Sequence, residues 1–166
     1  MKKIILAIIA GIIPLVLPAA STDFWFRHFS VEDGLSSNSV RAIMQDKYGF
    51  MWLGTDDGLN RYDGTTIKVY NLNPQGSNDY ISSLYDTTDN IWVGTEDGVY
   101  IFDYETESFE LFNVLTAQGD SIKSNVNHIA EDRDGNLWFS TVGQGIFKYN
   151  ISKHLSLIHI SEPTRH

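Results

Sequence analysis

Carboxylates are the residues most able to do chemistry in this chain. Asp56-Asp57 and Glu96-Asp97 are acidic pairs, and Asp132-Arg133-Asp134-Gly135-Asn136 opens like a calcium loop. The loop reading fails at its sixth and twelfth positions, where Leu137 and Gly143 stand in place of the required glycine and glutamate. General acid–base work needs two carboxyl groups held in different environments. The two pairs instead occupy equivalent places 40 residues apart, each just before a glycine (Gly58, Gly98). Repeated position argues for turns, so no catalytic residue and no metal ligand is assigned. Cysteine is absent, which removes thiol nucleophiles, thiolate metal sites and disulfides. No cofactor is expected, and no enzyme activity is expected of this chain.

The elements that carry these acids repeat. One copy reads Asp46-Lys47-Tyr48-Gly49-Phe50-Met51-Trp52-Leu53-Gly54-Thr55-Asp56-Asp57-Gly58. A second runs from Asp86 through Trp92-Val93-Gly94-Thr95 to Gly98, and a third from Asp132 through Trp138-Phe139-Ser140-Thr141 to Gly145. The tryptophans are 40 and 46 residues apart. Such a period, with four short strands per unit, marks the blade of a β-propeller. In the first unit the expected strands are 40–45, 50–55, 59–63 and 66–70, with turns at 46–49 and at the Asp-Gly pairs. The outer strand of the second unit is expected at 108–112. No stretch after Ser21 has a helical period over 11 or more residues. The fold expected is all-β: an open arc of about three four-stranded blades, part of a larger ring. The blades are bounded at about 36–77, 78–120 and 121–154.

The two ends do not follow this pattern. Residues 1–20 combine a basic start (Lys2, Lys3), an apolar run from Ile4 to Leu17 and a small-residue stretch, Pro18-Ala19-Ala20. That order reads as a signal-peptide helix, and a membrane anchor is the competing reading. Residues 155–166 match the conceptual translation of a transposase adapter used in sequencing libraries, so they are expected to lie outside the natural fold. A short terminal strand is the alternative.

Trp52, Trp92 and Trp138 recur at one place in every unit. They are read as wedges between blades, each burying on the order of 150–250 Å2. Gly54 and Gly94 fit close backbone approach, and Thr55, Thr95 and Thr141 complete the same structural repeat. A ligand site would lie on the face that carries the hairpins between second and third strands. The candidates there are Arg41, Asp57, Asp97, Asn127, His128 and Gln144.

The Trp-apolar-Gly-Thr motif, followed by glycine and an apolar-x-x-aromatic-Asp run, resembles the two-component regulator propeller repeat. Residues 26–40, from Phe26-Arg27-His28-Phe29 to Ser39-Val40, resemble the opening of that family's sensor regions. Ser140, Asn150 and Asp89 depart from the repeat pattern. The resemblance implies the N-terminal part of a periplasmic sensor of a hybrid two-component system. Its ligand would be an oligosaccharide or another small molecule, and the signal would pass to a cytoplasmic histidine kinase beyond this chain. It also implies further blades, a parent anchored in the inner membrane, and homodimerisation. Residues 26–29 would then close the ring by pairing with the last blade. A secreted lyase or glycosidase and an extracellular interaction scaffold are the alternatives.

Charge narrows the ligand. The whole sequence carries −9, and residues 22–153 hold 9 basic and 20 acidic side chains, a balance of −11. A sequence-independent grip on nucleic acid needs a basic surface. No nucleic acid is expected as a partner, and a neutral glycan is favoured over a sulfated one.

Overall fold

The computed structural model describes residues 25–72, 79–115, 119 and 121–151, and the backbone of 155–160. The signal-peptide reading of 1–20 lies outside the described residues. Hydrophobic alternation and Gly-containing turns fold the chain into three antiparallel sheets of four strands each. The first contains β1 (Val40–Gln45), β2 (Met51–Thr55), β3 (Gly58–Tyr62) and β4 (Ile67–Tyr70). The second contains β5 (Ile81–Asp86), β6 (Asn90–Thr95), β7 (Gly98–Asp103) and β8 (Ser108–Leu111). The third contains β9 (Val126–Glu131), β10 (Asn136–Thr141), β11 (Ile146–Asn150) and β12 (Leu155–Ile160). Strands follow sequence order within each sheet, as in propeller blades. The inner strands β1, β5 and β9 lie side by side, with β5 touching both of the others.

The hairpins between second and third strands show why the repeat needs its threonine and its last glycine. Gly58 and Gly98 have φ of 111° and 140°, a region that favours glycine. The Thr55 hydroxyl accepts the Asp57 N–H and donates to the Gly58 carbonyl, and Thr95 does the same for Asp97 and Gly98. Thr141 donates to the Gly145 carbonyl across a hairpin one residue longer.

Two apolar clusters weld the blades. The first joins Trp52, Leu59 and Tyr70 of blade one to Ile81, Ile91, Val93 and Phe102 of blade two. The second joins Trp92, Val99 and Phe112 to Ile129, Leu137, Phe139, Phe147 and Tyr149 of blade three. Trp52 is fully buried with its ring 5.0 Å from Phe102, and Trp92 lies 5.8 Å from both Phe139 and Tyr149. Contacts of this geometry add about 0.5–1.5 kcal/mol each beyond area burial.

Gly54 sets the spacing of the first junction: a Cβ there would sit 2.6 Å from Ile81 Cγ2. At Gly94 it would meet the Ser83 hydroxyl at 2.1 Å and the Val126 carbonyl at 3.0 Å. Ser140 takes the equivalent place in blade three. It is half-buried, and among the described residues no further inner strand packs against it.

Residues 25–30 form no ladder. Phe29 packs on Tyr62 at 4.9 Å, and Trp25 and Phe26 are exposed. A 3-10 turn follows at Val31–Asp33, capped reciprocally by Ser30 and Asp33 and closed by Gly34. Strand β12 comes from the tail expected to lie outside the fold. Its backbone pairs antiparallel with β11, with Ile146 opposite Ile160. Backbone pairing asks little of side-chain identity, so an open sheet edge accepts any strand-forming run.

Candidate functional site

The hairpin tips and the starts of the inner strands share one edge of the arc. Asp56 N donates to Ser39 O, Gly58 N to Asp79 O, and Val142 N to Asn125 O. These bonds place the candidate residues on that edge.

Each inner strand begins with the same irregularity. In β1 the ladder passes from Val40 to Ala42, in β5 from Ile81 to Ser83, and against β10 it passes from Val126 to His128. The residue passed over is the second of each strand: Arg41, Ser82 and Asn127. A bulge of this kind re-aims the side chain it frees from the pleat.

Arg41 uses that freedom to reach Asp56, with Nε–Oδ1 at 2.7 Å and an Nη2–Oδ2 contact at 3.2 Å. Its guanidinium carbon stands 5.5 Å from the centre of the Tyr80 ring, which leads into blade two. The hydrogen bond from Arg41 holds the Asp56 carboxyl below its usual range and raises Arg41 in turn. Asp57 and Asp97 are exposed on their hairpins, and Asn127 and His128 are exposed on β9.

Gln144 has a structural position. Its Oε1 accepts from Lys123 N and Ser124 Oγ, and its Nε2 donates to Ser121 O, pinning the loop before β9. The edge thus collects Arg41, Asp57, Asp97, Asn127 and His128 in blade order along a strip, with Gln144 bracing its far end.

Sequence reasoning left out three residues of this strip. Asp56 was assigned to turn chemistry with its neighbour, yet it fixes Arg41. Tyr80 supplies the ring beside that arginine. Ser82 sits at the bulge and donates to Gly94 O and Val126 O, bonding blade two to blade three. The repeat itself was the signal for Ser82, since it aligns with Arg41 and Asn127.

Among the described residues no three His, Asp or Glu side chains converge as a metal site would require. The acidic sequence 132–136 forms the turn between β9 and β10. Asp132 there accepts from Trp138 Nε1 at 2.8 Å and from Asn136 N at 2.9 Å. The strip offers hydrogen-bond donors, acceptors and one aromatic face, a set suited to binding a polar ligand.

A family model described as "two component regulator propeller" matches residues 34–57 and 121–143, two segments in corresponding places of blades one and three. The chain carries two-component regulator propeller repeats. A 70-residue stretch, 42% of this chain, is 46% identical to histidine kinase P4 of Formosa agariphila. The fold matches the extracellular domain of a putative hybrid two component system from B. thetaiotaomicron, with a TM-score of 0.71 and 32% identity over 81% of this chain. It also matches the extracellular domain of a putative one component system from the same organism, with a TM-score of 0.64 and 25% identity over 75% of this chain.

The chain spans 5% of the curated relative's length and 18–20% of these two structures. The described blades thus resemble parts of the extracellular domains of a putative hybrid two component system and a putative one component system. Among the described residues no helix is long and apolar enough to cross a membrane.

Proposed function

We propose that these three blades are part of the exported, periplasmic sensor region of a hybrid two-component signalling protein. In this reading the sensor region takes a carbohydrate-derived ligand and passes the signal to a cytoplasmic histidine kinase outside this chain. The observation that carries it is the match of the fold, over 81% of this chain, to the extracellular domain of a putative hybrid two component system. The hairpin edge supports the ligand class. Its acceptors, its Arg41–Tyr80 pair and its exposed Asn127 and His128 suit hydroxyl groups and a sugar ring. The balance of −11 over residues 22–153 disfavours a sulfated ligand. Signal transfer requires the ligand to prefer one arrangement of the sensor over another, and a dimeric parent would supply two such arrangements.

Calorimetric titration of the intact extracellular region with neutral and sulfated oligosaccharides tests this. Binding of a neutral oligosaccharide that weakens in Arg41→Ala and His128→Ala is the expected result. Tight binding of sulfated fragments alone would overturn the ligand class. Membrane topology mapping and a kinase assay on the parent test the relay.

A further inference from the structure

Among the described residues one residue other than glycine has a left-handed backbone: Glu107, with φ of 49°. That conformation crowds the Cβ of an L-residue, and it persists where the surroundings hold it in place. Glu107 ends the outer hairpin of blade two, between β7 and β8. This hairpin is longer than its counterpart in blade one. Four residues separate the paired Tyr62 and Ile67, and six separate the equivalent pair Phe102 and Phe109.

The extra length carries the hairpin onto blade one. Glu107 Oε1 accepts from Arg61 Nη1 at 3.0 Å, and its Oε2 accepts from Lys68 Nζ at 2.5 Å. Arg61 on β3 stands opposite Lys68 on β4, so one carboxylate bridges two strands of the neighbouring blade. The bonds from Lys68 and Arg61 hold the Glu107 carboxyl below its usual range, which keeps it charged at neutral pH. Tyr104, at the start of the same hairpin, makes a second grip. Its ring lies 5.0 Å from that of Tyr48 and 4.7 Å from Lys47 Nζ.

The first wedge lies under this grip. The Arg61 side chain is 17% exposed, and its guanidinium carbon stands 4.8 Å from the ring centre of Phe50, 5.7 Å from Trp52 and 5.6 Å from Tyr70. A cation this far withdrawn from water needs a counter-charge, and Glu107 of the next blade supplies it. Beneath Arg61, the Trp52 Nε1–H is clasped by Asp46 at 2.7 Å, as Trp138 Nε1–H is by Asp132 at 2.8 Å. The second wedge differs on both counts. Its clasp is open, because Asp86 accepts from Lys47 N and the Tyr104 hydroxyl, and the buried Trp92 Nε1–H has no acceptor. Ile101 stands opposite Trp92 where Arg61 stands opposite Trp52, so no equivalent cation covers it.

We propose that Glu107 is an electrostatic latch on the junction of blades one and two. It draws the outer hairpin of blade two onto Arg61 and Lys68, shuts the junction over Trp52 and makes the two blades move as one body. Screening or removal of its charge opens this junction at the outer rim and leaves the apolar junction of blades two and three shut. Arg41 and Tyr80 flank the same junction at its hairpin edge, so the latch also fixes their separation.

Hydrogen exchange of the indole N–H groups, followed in 15N–1H spectra of the full chain, tests the latch. Ring contacts assign the two signals, to Tyr70 and Phe102 for Trp52 and to Phe112 and Tyr149 for Trp92. Trp92 is the internal reference. Raising sodium chloride from about 0.05 to about 1 M shortens the screening length severalfold. It should speed Trp52 exchange about threefold relative to Trp92, without any substitution. Glu107→Gln should speed Trp52 exchange to the same extent at low salt and abolish its salt response. Glu107→Gly separates latch from turn, because glycine takes the left-handed backbone without strain. A latch predicts faster Trp52 exchange in that variant too. Three results would each overturn the proposal. One is Trp52 exchange that salt leaves unchanged relative to Trp92. Another is equal acceleration of both tryptophans, which marks general destabilisation. The last is unchanged or slower Trp52 exchange in Glu107→Gly, which would leave the residue a turn former only.

Discussion

Blades one and two carry the same Asp-x5-Trp pair, and they spend it differently. In blade one Asp46 is buried and turns inward. It accepts from Tyr48 N, Phe50 N and Trp52 Nε1, so turn and wedge form one unit. In blade two Asp86 accepts from Lys47 N of blade one across the junction and from the Tyr104 hydroxyl of its own blade. Identical residues at identical spacing therefore do not guarantee identical contacts. Tyr104 and Lys47, from other elements, decide the outcome.

The largest break in this comparison should come from the aspartates. Asp46→Ala leaves three N–H donors without their acceptor, at about 1–3 kcal/mol for each that stays buried. A loss of about 3 kcal/mol or more is expected from denaturant midpoints. Asp86→Ala should cost about 1 kcal/mol, because neither of its bonds closes its own turn around a buried tryptophan. Equal losses would mean that the clasp is not what separates the blades.

Next come the tryptophans. Trp52→Phe removes a charge-assisted hydrogen bond along with ring area, whereas Trp92→Phe removes ring area and an unpaired donor. The first should be more destabilising by about 1.5–3 kcal/mol in the same unfolding assay.

A smaller effect follows from pH. Hydrogen bonds from the Trp138 indole and Asn136 N hold the Asp132 carboxyl below the usual carboxylate range, and those from Thr66 and Thr65 do the same for Asp63. A carboxyl with a lowered folded value stabilises fully above its unfolded value near 4. It loses that contribution as pH falls toward the folded value. Urea midpoints should therefore decline below about pH 4, and Asp132→Asn should flatten part of that decline. A midpoint that rises on acidification would contradict the clasp in blade three.

The smallest stability effect belongs to the hairpin edge. The Arg41–Asp56 pair is solvent-accessible, so Arg41→Ala should shift the denaturant midpoint less than any of the substitutions above. A larger shift would show that Arg41 braces the fold, as Gln144 does, and does not serve a ligand.

Much of this architecture could be read from residue order. Strand β1 begins and ends where the apolar run 40–45 and the turn residues placed it, and the Gly58 and Gly98 hairpins follow from their Asp-Gly pairs. The junctions were also legible, because Trp52 and Trp92 recur where a flat wedge is needed. Three features were not. The Arg41–Asp56 pair depends on a bulge that removes Arg41 from the pleat, and periodicity does not show a bulge. The open clasp at Trp92 depends on Tyr104, which lies beyond the repeated motif. The pairing of β12 with β11 arises from an exposed edge, and a terminal strand at 155–166 stood only as the alternative reading because that run fits none of the blade pattern.

The bulge at the second position of every inner strand has a consequence for how such blades diversify. Arg41, Ser82 and Asn127 differ in charge, size and hydrogen-bonding capacity, yet the ladder on either side keeps the same register in each blade. A residue outside the ladder is free of the strand register, so mutation there leaves the ladder intact, although at Ser82 it would also cost the bonds that tie blade two to blade three. Each added blade brings one more such slot to the same rim. A ring built this way can change what it recognises one letter at a time while its scaffold stays constant.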